Sequence, residues 1–454
     1  MLSANLWEFI MVTKKVKIET FGCQMNKSDS EKMFGLLGTI GYEPTQFTED
    51  ADLILVNTCS IRENAVNRLV GHLGAFKKLK QYKPELIIGV GGCVPQHEKE
   101  NIRKKARHVD IVFGSQNFNK IHEMVQRFEN KRKPIVEILK QADVYEDDMP
   151  IYRENKYSAW VTIMNGCSRY CTFCIVPYVR GNEASRSVES IMTEVENAVA
   201  DGYKEIVLLG QIIDLYGRDL KPRITLDELL YKISDVKGLE RIRFLTSHPK
   251  YMSKSIIDAV ASRDNLCDFI HLPLQSGNNR ILELMNRRNT MEEYDDIAQY
   301  IKQKLPDASF SSDFIVGFPG ETEDEFLDTV NACIKYQFDA TMTSAYSPRP
   351  GTPAAEMDGQ IPEEEKSRRL NHLNRVMKDI AKNRNVERIG KTESVLVEGY
   401  NEKKNNYYGR TRGNKNIHFE GDSSLLGQII DVKVTEATSS SLRGEVLKTA
   451  NSVV

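Results

Sequence analysis

Residues 160–174 read WVTIMNGCSRYCTFC, an apolar and β-branched run that breaks at Asn165-Gly166 into a loop carrying three cysteines. The run predicts a strand, Trp160 to Met164, opening onto a C-x3-C-x2-C loop. Three soft thiolates from one loop suit a 4Fe-4S cluster, and a missing fourth ligand leaves one iron open to bind something else. A zinc knuckle is the alternative, but structural zinc takes four closed ligands, usually in paired C-x2-C halves, and no second half follows nearby. Cys167, Cys171 and Cys174 are therefore the candidate metal ligands and the catalytic set.

Further strands are expected at Glu205 to Leu209, Ile242 to Thr246, Phe269 to Pro273, Ser309 to Val316 and Ala340 to Tyr346. Helical patterns separate them at Val188 to Asp201, Thr225 to Val236, Lys254 to Ser262, Met291 to Lys304 and Thr322 to Tyr336. Six βα units make a partial barrel, whose chemistry belongs at the strand C-terminal ends. A full eightfold barrel would need two more units.

Upstream, Lys15 to about Phe128 is α/β with a parallel sheet: strands at Lys15 to Thr20, Asp52 to Asn57 and Leu86 to Gly91, helices at Ser28 to Ile40, Arg62 to Gln81 and Asn117 to Phe128. Cys23, Cys59 and Cys93 each fall just past one of these strands. In a parallel open sheet such ends share the ligand-binding edge, so three cysteines distant in sequence can converge on a second cluster. Gly22, Gly91 and Gly92 beside them would let backbone approach a bulky group. Burial as small hydrophobes is the competing account of all three, and it is preferred for Cys267 and Cys333, which fall in apolar patterns.

Residues 129–157, rich in Lys, Glu, Asp and Pro, read as a linker across the surface. Beyond the turn SPRPGTP (Ser347 to Pro353), Glu363 to Arg388 predicts one long basic amphipathic helix. From about Ile389 to Leu447, short alternating runs broken by Gly, Asn and Ser predict a small antiparallel barrel. The whole is α/β and multidomain: 14–130 with the second cluster, 131–157 linking, 158–386 the partial barrel with its basic helix, and 388–450 the small barrel.

With 454 residues, 28% charged and 40% hydrophobic, and a net charge of −2, the composition excludes a disordered tail or a uniformly basic nucleic-acid coat. Any nucleic-acid contact must be local. Eight cysteines are too sparse for a disulfide scaffold, which points to a reducing compartment. No apolar run approaches the roughly 18 residues a membrane span needs; Leu6 to Val12 is too short, and a cytoplasmic location is expected.

The segments FGCQMNKSDSEKM (21–33), NTCSIRENA (57–65), GGCVPQHE (91–98), GCSRYCTFCIVPYVRGNEASR (166–186), LPLQSGNNRILELMNRR (272–288) and SDFIVGFPGETEDEF (312–326) resemble the radical S-adenosylmethionine methylthiotransferases, and among them the tRNA 2-methylthioadenosine branch. The resemblance runs from about residue 15 to 445 and implies an N-terminal cluster domain, a radical barrel and a C-terminal TRAM barrel. It implies two 4Fe-4S clusters, two S-adenosylmethionines, and methylthiolation at C2 of isopentenylated adenosine 37 in a tRNA anticodon stem-loop. One cofactor methylates a sulfur on the second cluster; the other yields a 5′-deoxyadenosyl radical. An electron donor such as flavodoxin or ferredoxin follows from the same chemistry.

Under that resemblance, polar side chains at strand ends, Gln211, Ser247, Gln275 and Asp313, are candidate S-adenosylmethionine contacts, although each could instead cap the next helix. The glycine-containing IVGFPGE (Ile315 to Glu321) resembles the barrel strand lying against adenine. LLGQIIDLYG departs from the family, where polar residues usually follow the glutamine: Ile212 and Ile213 either pack on a ligand or fill the loop. RNA contact is expected from Arg368, Arg369, Arg375, Lys378, Lys382 and Arg384 on the long helix, and from Lys403, Lys404, Arg410, Arg412 and Lys415 with Tyr407, Tyr408 and Phe419 in the tail. Sister enzymes acting on threonylcarbamoyladenosine or on a ribosomal-protein aspartate, and a noncatalytic iron-sulfur RNA-binding module, are the alternatives.

Overall fold

The computed structural model describes residues 13–59, 64–99, 101–139 and 149–447. The segment Leu6 to Val12, the expected helix start at Arg62 and the middle of the expected linker, 140–148, lie outside the described residues. The described chain up to Glu154, with Tyr178–Gly181, forms one compact unit; Asn155–Pro177 and the chain from Asn182 onward form another.

The first unit is built on a six-stranded, wholly parallel sheet in the order Tyr42–Pro44, Lys14–Thr20, Leu53–Thr58, Ile87–Gly92, Ile111–Phe113, Ile135–Glu137. Helices Gln24–Gly38, Asn64–Tyr82 and Ile121–Lys131 accompany it. Because both faces are covered, the central strands Leu53–Thr58 and Ile87–Gly92 are buried at every position. Leu53 and Leu55 join Phe113 and Phe128 in one core, while Ile54, Val56 and Val90 join Leu69 and Phe76 in the other.

Two sequence expectations need correction here. The first helix begins at Gln24, not Ser28: extended Cys23 is its N-cap, and the polar Asn26, Ser28, Asp29, Ser30, Glu31 and Lys32, which show no apolar periodicity, are buried within it. The expected linker is also structured at both ends. Ile135–Glu137 is the sixth strand, and Tyr152 donates its amide to Glu31 O at 3.0 Å.

The second unit carries two parallel three-stranded sheets, Ser158–Thr162/Glu205–Leu209/Arg241–Phe244 and Phe269–His271/Ser309–Val316/Ala340–Ala345. A single bridge, Ile242 to Leu266, joins them into an open arc of strands in chain order. This is the partial barrel, with helices Val188–Ala200, Leu226–Ser234, Lys254–Ser262, Met291–Lys304 and Glu323–Tyr336 between strands. Three of these start with complete capping boxes, at Thr225, Thr290 and Thr322, which fixes where each strand-end loop stops.

The long helix is Glu363–Val386. After it, strands Thr392–Asn401, Asn406–Thr411, Asn416–Phe419, Leu442–Val446 and Ile429–Ala437 close a five-stranded barrel. Four pairings are antiparallel, and the barrel is completed by a parallel one between Ile417 and Leu442. It is anchored to the arc by two buried arginines. Arg241 donates to Arg410 O at 2.9 Å and Ser394 O at 2.7 Å, and Arg243 to Arg412 O at 2.7 Å while pairing with buried Glu205 at 3.2 Å.

Candidate active site

The loop after strand Ser158–Thr162 is shaped by left-handed backbone at Gly166 (φ 76°) and Tyr170 (φ 51°). On one side Arg169 makes a bidentate pair with Glu183 at 3.1 and 3.0 Å and donates to Tyr251 Oη at 3.1 Å. On the other, Thr172 N donates to Met285 O at 3.0 Å, and Asn286 Nδ2 donates to Tyr170 O at 3.0 Å and to Arg169 O at 3.3 Å. The loop is thus clamped from two directions before any cofactor is considered. Buried Arg287 donates to Pro273 O at 2.6 Å and brings Nη1 to 3.8 Å from Cys171 Sγ.

Burial pushes the Cys167 thiol up to about 11 and the Cys174 thiol up to about 12, the latter assisted by the charge of Cys171. A bound metal is what would hold such thiols as thiolates. Donor number and softness fit an iron-sulfur group with an open position. Among the described residues, no three His, Cys, Asp or Glu side chains are disposed as a single-ion metal site.

In the first unit the other trio also converges. The cysteine at 23 precedes helix Gln24–Gly38, and its thiol lies 3.4 Å from Asn26 Oδ1. A hydrogen bond with Cys59, and then the positive charge of Arg180, bring that thiol down to about 6 against the opposing effect of burial. Burial raises Cys93, whose charge interacts with both Cys23 and Arg180. The neighbouring glycines stand where a side chain would meet the protein's own strand ends. A Cβ at Gly22 would lie 2.5 Å from Cys59 Cβ, one at Gly91 2.1 Å from Phe113, and one at Gly92 2.4 Å from Thr58 O. They make room for the protein's own strand ends and so draw the three cysteines together. Asn57 and Asn26 lock the edge: Asn57 Nδ2 donates to Asn26 O at 2.8 Å, and Asn26 Nδ2 to Thr58 O at 3.0 Å.

At the strand ends of the arc, Gln211 Oε1, Ser247 Oγ and Asp313 Oδ1 are buried with no hydrogen-bond partner among the described residues, as a polar ligand's contacts would be. Gln275 is half-buried, with φ 75°, and its backbone bridges Asp313 O at 2.9 Å and Ile315 N at 3.0 Å. His271 was missed by the sequence reading; its Nε2 stands 3.6 Å from Asp313 Oδ2 and its Nδ1 2.9 Å from Ser311 Oγ. Ile212 and Ile213 are buried in the main hydrophobic core.

Asp214 beside them was also missed. Its Oδ2 accepts the His248 amide at 2.6 Å, its Oδ1 is unpartnered, and burial drives the carboxyl up to about 7. Ser247 stands near enough to Asp214 to moderate that rise, but its Oγ falls outside hydrogen-bond geometry. Burial, then the charges of Arg287, Arg169 and Arg288, hold the His248 imidazole down near 2.

The structure redistributes the expected RNA contacts. Arg369 is buried against Phe326 and paired with Glu321 at 2.8 Å and Glu365 at 2.7 Å. Arg410 pairs with Glu398 at 2.5 Å. Arg412 donates to Asp264 O at 2.6 Å and Leu266 O at 2.7 Å, and Lys415 pairs with Asp339 at 2.7 Å. Tyr407 and Phe419 sit in the small barrel's core. These side chains hold the unit together because each faces an internal partner, which composition alone does not reveal. Arg368 is half-exposed but paired with Glu365 and Glu323, and Arg384 pairs with Glu387 and Asp339. Lys403, Lys404, Arg375, Lys378, Lys382 and Tyr408 reach solvent. Tyr408 lines an open depression of about 580 Å³ with Tyr400, Asn401, Lys403, Asn416 and His418. Its aromatic neighbours Tyr400 and His418 are not among the residues expected from the sequence, although each lies within three residues of a named lysine.

A parallel arc with a three-thiol loop at its first strand's C-terminal end defines a radical S-adenosylmethionine fold, and residues 161–333 match the Radical SAM superfamily. Residues 15–114 match the Uncharacterized protein family UPF0004 and residues 386–447 the TRAM domain. The solved radical S-adenosylmethionine methyltransferase TsrM from Kitasatospora setae shares the fold at a TM-score of 0.56 and 13% identity, over 76% of this chain and 77% of that one. The tRNA-2-methylthio-N(6)-dimethylallyladenosine synthase of Clostridium botulinum (strain Langeland / NCTC 10281 / Type F) is 45% identical over 94% of this chain and 96% of its own. That of Halalkalibacterium halodurans is 46% identical over 96% and 82%. The chain belongs to the tRNA-2-methylthio-N(6)-dimethylallyladenosine synthase family.

Proposed function

We infer that the chain attaches a methylthio group to C2 of N6-isopentenyladenosine at position 37 of tRNA, consuming two S-adenosylmethionines. The observation that carries this reading is the pair of cysteine trios, each gathered within its own compact unit, in a chain with this family membership. Cys167, Cys171 and Cys174 would hold one 4Fe-4S cluster and Cys23, Cys59 and Cys93 the other. When bound, these groups supply the electron that cleaves S-adenosylmethionine to a 5′-deoxyadenosyl radical and a metal-held sulfur for transfer, because an aromatic C–H is too inert for acid–base chemistry.

The protein's own part is positioning. Asn286, Thr172 and the Arg169–Glu183 pair fix the barrel loop, and Arg287 sets a cation beside Cys171. Gln211, Ser247 and Asp313 offer buried polar atoms to the cofactor, with Gln275 placing the adjoining backbone. Tyr400, Tyr408, His418 and Lys403 offer stacking faces and positive charge to an anticodon stem-loop, supported by Lys404 and the exposed lysines of the long helix. A flavodoxin or ferredoxin would supply electrons in the cytoplasm. Among the described residues no helix is long and apolar enough to cross a membrane.

Mass spectrometry of tRNA nucleosides from a deletion strain, with and without the complementing gene, tests the reading. Loss and recovery of 2-methylthio-isopentenyladenosine is expected. Intact tRNA nucleosides with an altered ribosomal protein would overturn it.

A further inference from the structure

Arg180 lies six residues beyond Cys174 in the sequence, yet it belongs to the compact unit that holds the other trio. Its guanidinium is 4% exposed and donates to Asp29 Oδ2 at 2.7 Å and to Asn26 Oδ1 at 3.1 Å. Helix Val176–Arg180 is fixed there because Ser115 Oγ donates to Val179 O. Asn26 in turn touches the Cys23 thiol, and the Arg180 charge acts on both Cys23 and Cys93.

A buried ion pair adds little to stability over an apolar pair of the same size, so its presence calls for a role. Here it sits beside three thiols that must carry negative charge when they bind metal. We propose that Arg180, balanced by Asp29, is a positioning residue that supplies the counter-charge to the group held by Cys23, Cys59 and Cys93, and so sets that group's reduction potential. Net charge and hydrogen bonds to sulfur are the protein's main handles on such potentials. The inference rests on the reading of this trio as cluster ligands.

The test uses the full chain with Cys167, Cys171 and Cys174 all changed to alanine, reconstituted anaerobically, so that only the N-terminal group reports. Iron and sulfide are counted first, and the potential is then read by spectroscopic redox titration. Removing the cation in Arg180→Met should disfavour reduction at least tenfold, which is about 59 mV for one electron. Removing the anion in Asp29→Asn should favour reduction by a similar factor, and the double variant should return toward the parent. Opposite signs separate a charge effect from a packing defect, which would move both variants the same way. If Arg180→Met fails to hold iron, Asp29→Asn still decides, because it keeps the cation: an upward shift supports the proposal and no shift overturns it. A parent without iron would overturn the ligand reading and the inference with it. A parent with iron and unmoved potentials would overturn the inference alone.

Discussion

Asp214 offers a sharp test of how the barrel's polar strand ends are built. Its side chain leaves the short helical turn Ile213–Leu215 among Ile212, Ile213 and Leu215, accepts one amide at 2.6 Å from His248, and has no cation among the groups that set its acidity. Burial therefore dominates and lifts the carboxyl from 3.8 to about 7. The folded protein keeps a proton that the unfolded chain has released, so stability is fully present below pH 4, falls as pH rises from about 4 to about 7, and is level above. A shift of about three units corresponds to about 4 kcal/mol at 1.36 kcal/mol per unit. The residue as a whole is only half-buried, and solvent screening reduces this to about 2–4 kcal/mol. Asp214→Asn keeps an acceptor for the His248 amide and removes the ionisation. Urea unfolding at pH 5 and pH 8 should show the variant losing less stability across that interval and exceeding the parent at pH 8. A variant less stable than the parent at pH 8, with an unchanged pH slope, would refute the reasoning.

Gly91→Ala places a methyl 2.1 Å from the Phe113 ring, so it should destabilise the N-terminal unit by about 1–3 kcal/mol, read as a lower Tm and reduced iron loading on the Cys23 trio alone. Tyr408→Ala should weaken tRNA binding by about 1–3 kcal/mol with little change in Tm, whereas Tyr407→Ala, in the barrel core, should lower Tm first; filter binding and calorimetry separate the two. Asn286→Ala frees Tyr170 O and Arg169 O and should make the radical loop's iron more labile to chelators, without altering iron on the other trio.

Most of the parallel sheet and of the arc was legible because strands such as Leu53–Thr58, Ile87–Gly92 and Glu205–Leu209 are largely apolar runs bounded by turns, and the three-residue Phe269–His271 shows through the longer run FIHLPL around it. The three-residue strands Tyr42–Pro44, Ile111–Phe113 and Ile135–Glu137 were too short to show a period. The polar start of the first helix, Asn26 to Lys32, carries no apolar pattern to mark its burial, since sequence cannot show that Arg180 and the Asn57 edge would meet it. The cysteine spacing carried the metal chemistry, while charge content misplaced Arg369, Arg410, Arg412 and Lys415, whose carboxylate and carbonyl partners are distant in sequence or arise only on folding.

The central claim is that the two trios divide the labour, one making the radical and the other carrying sulfur. Its most direct test is anaerobic turnover of the Cys23→Ala, Cys59→Ala, Cys93→Ala variant with isopentenylated tRNA, quantifying 5′-deoxyadenosine and methylthiolated nucleoside in the same reaction. The account predicts deoxyadenosine without methylthiolated product. Normal product from this variant would show that the N-terminal cysteines are core residues, and would contradict it.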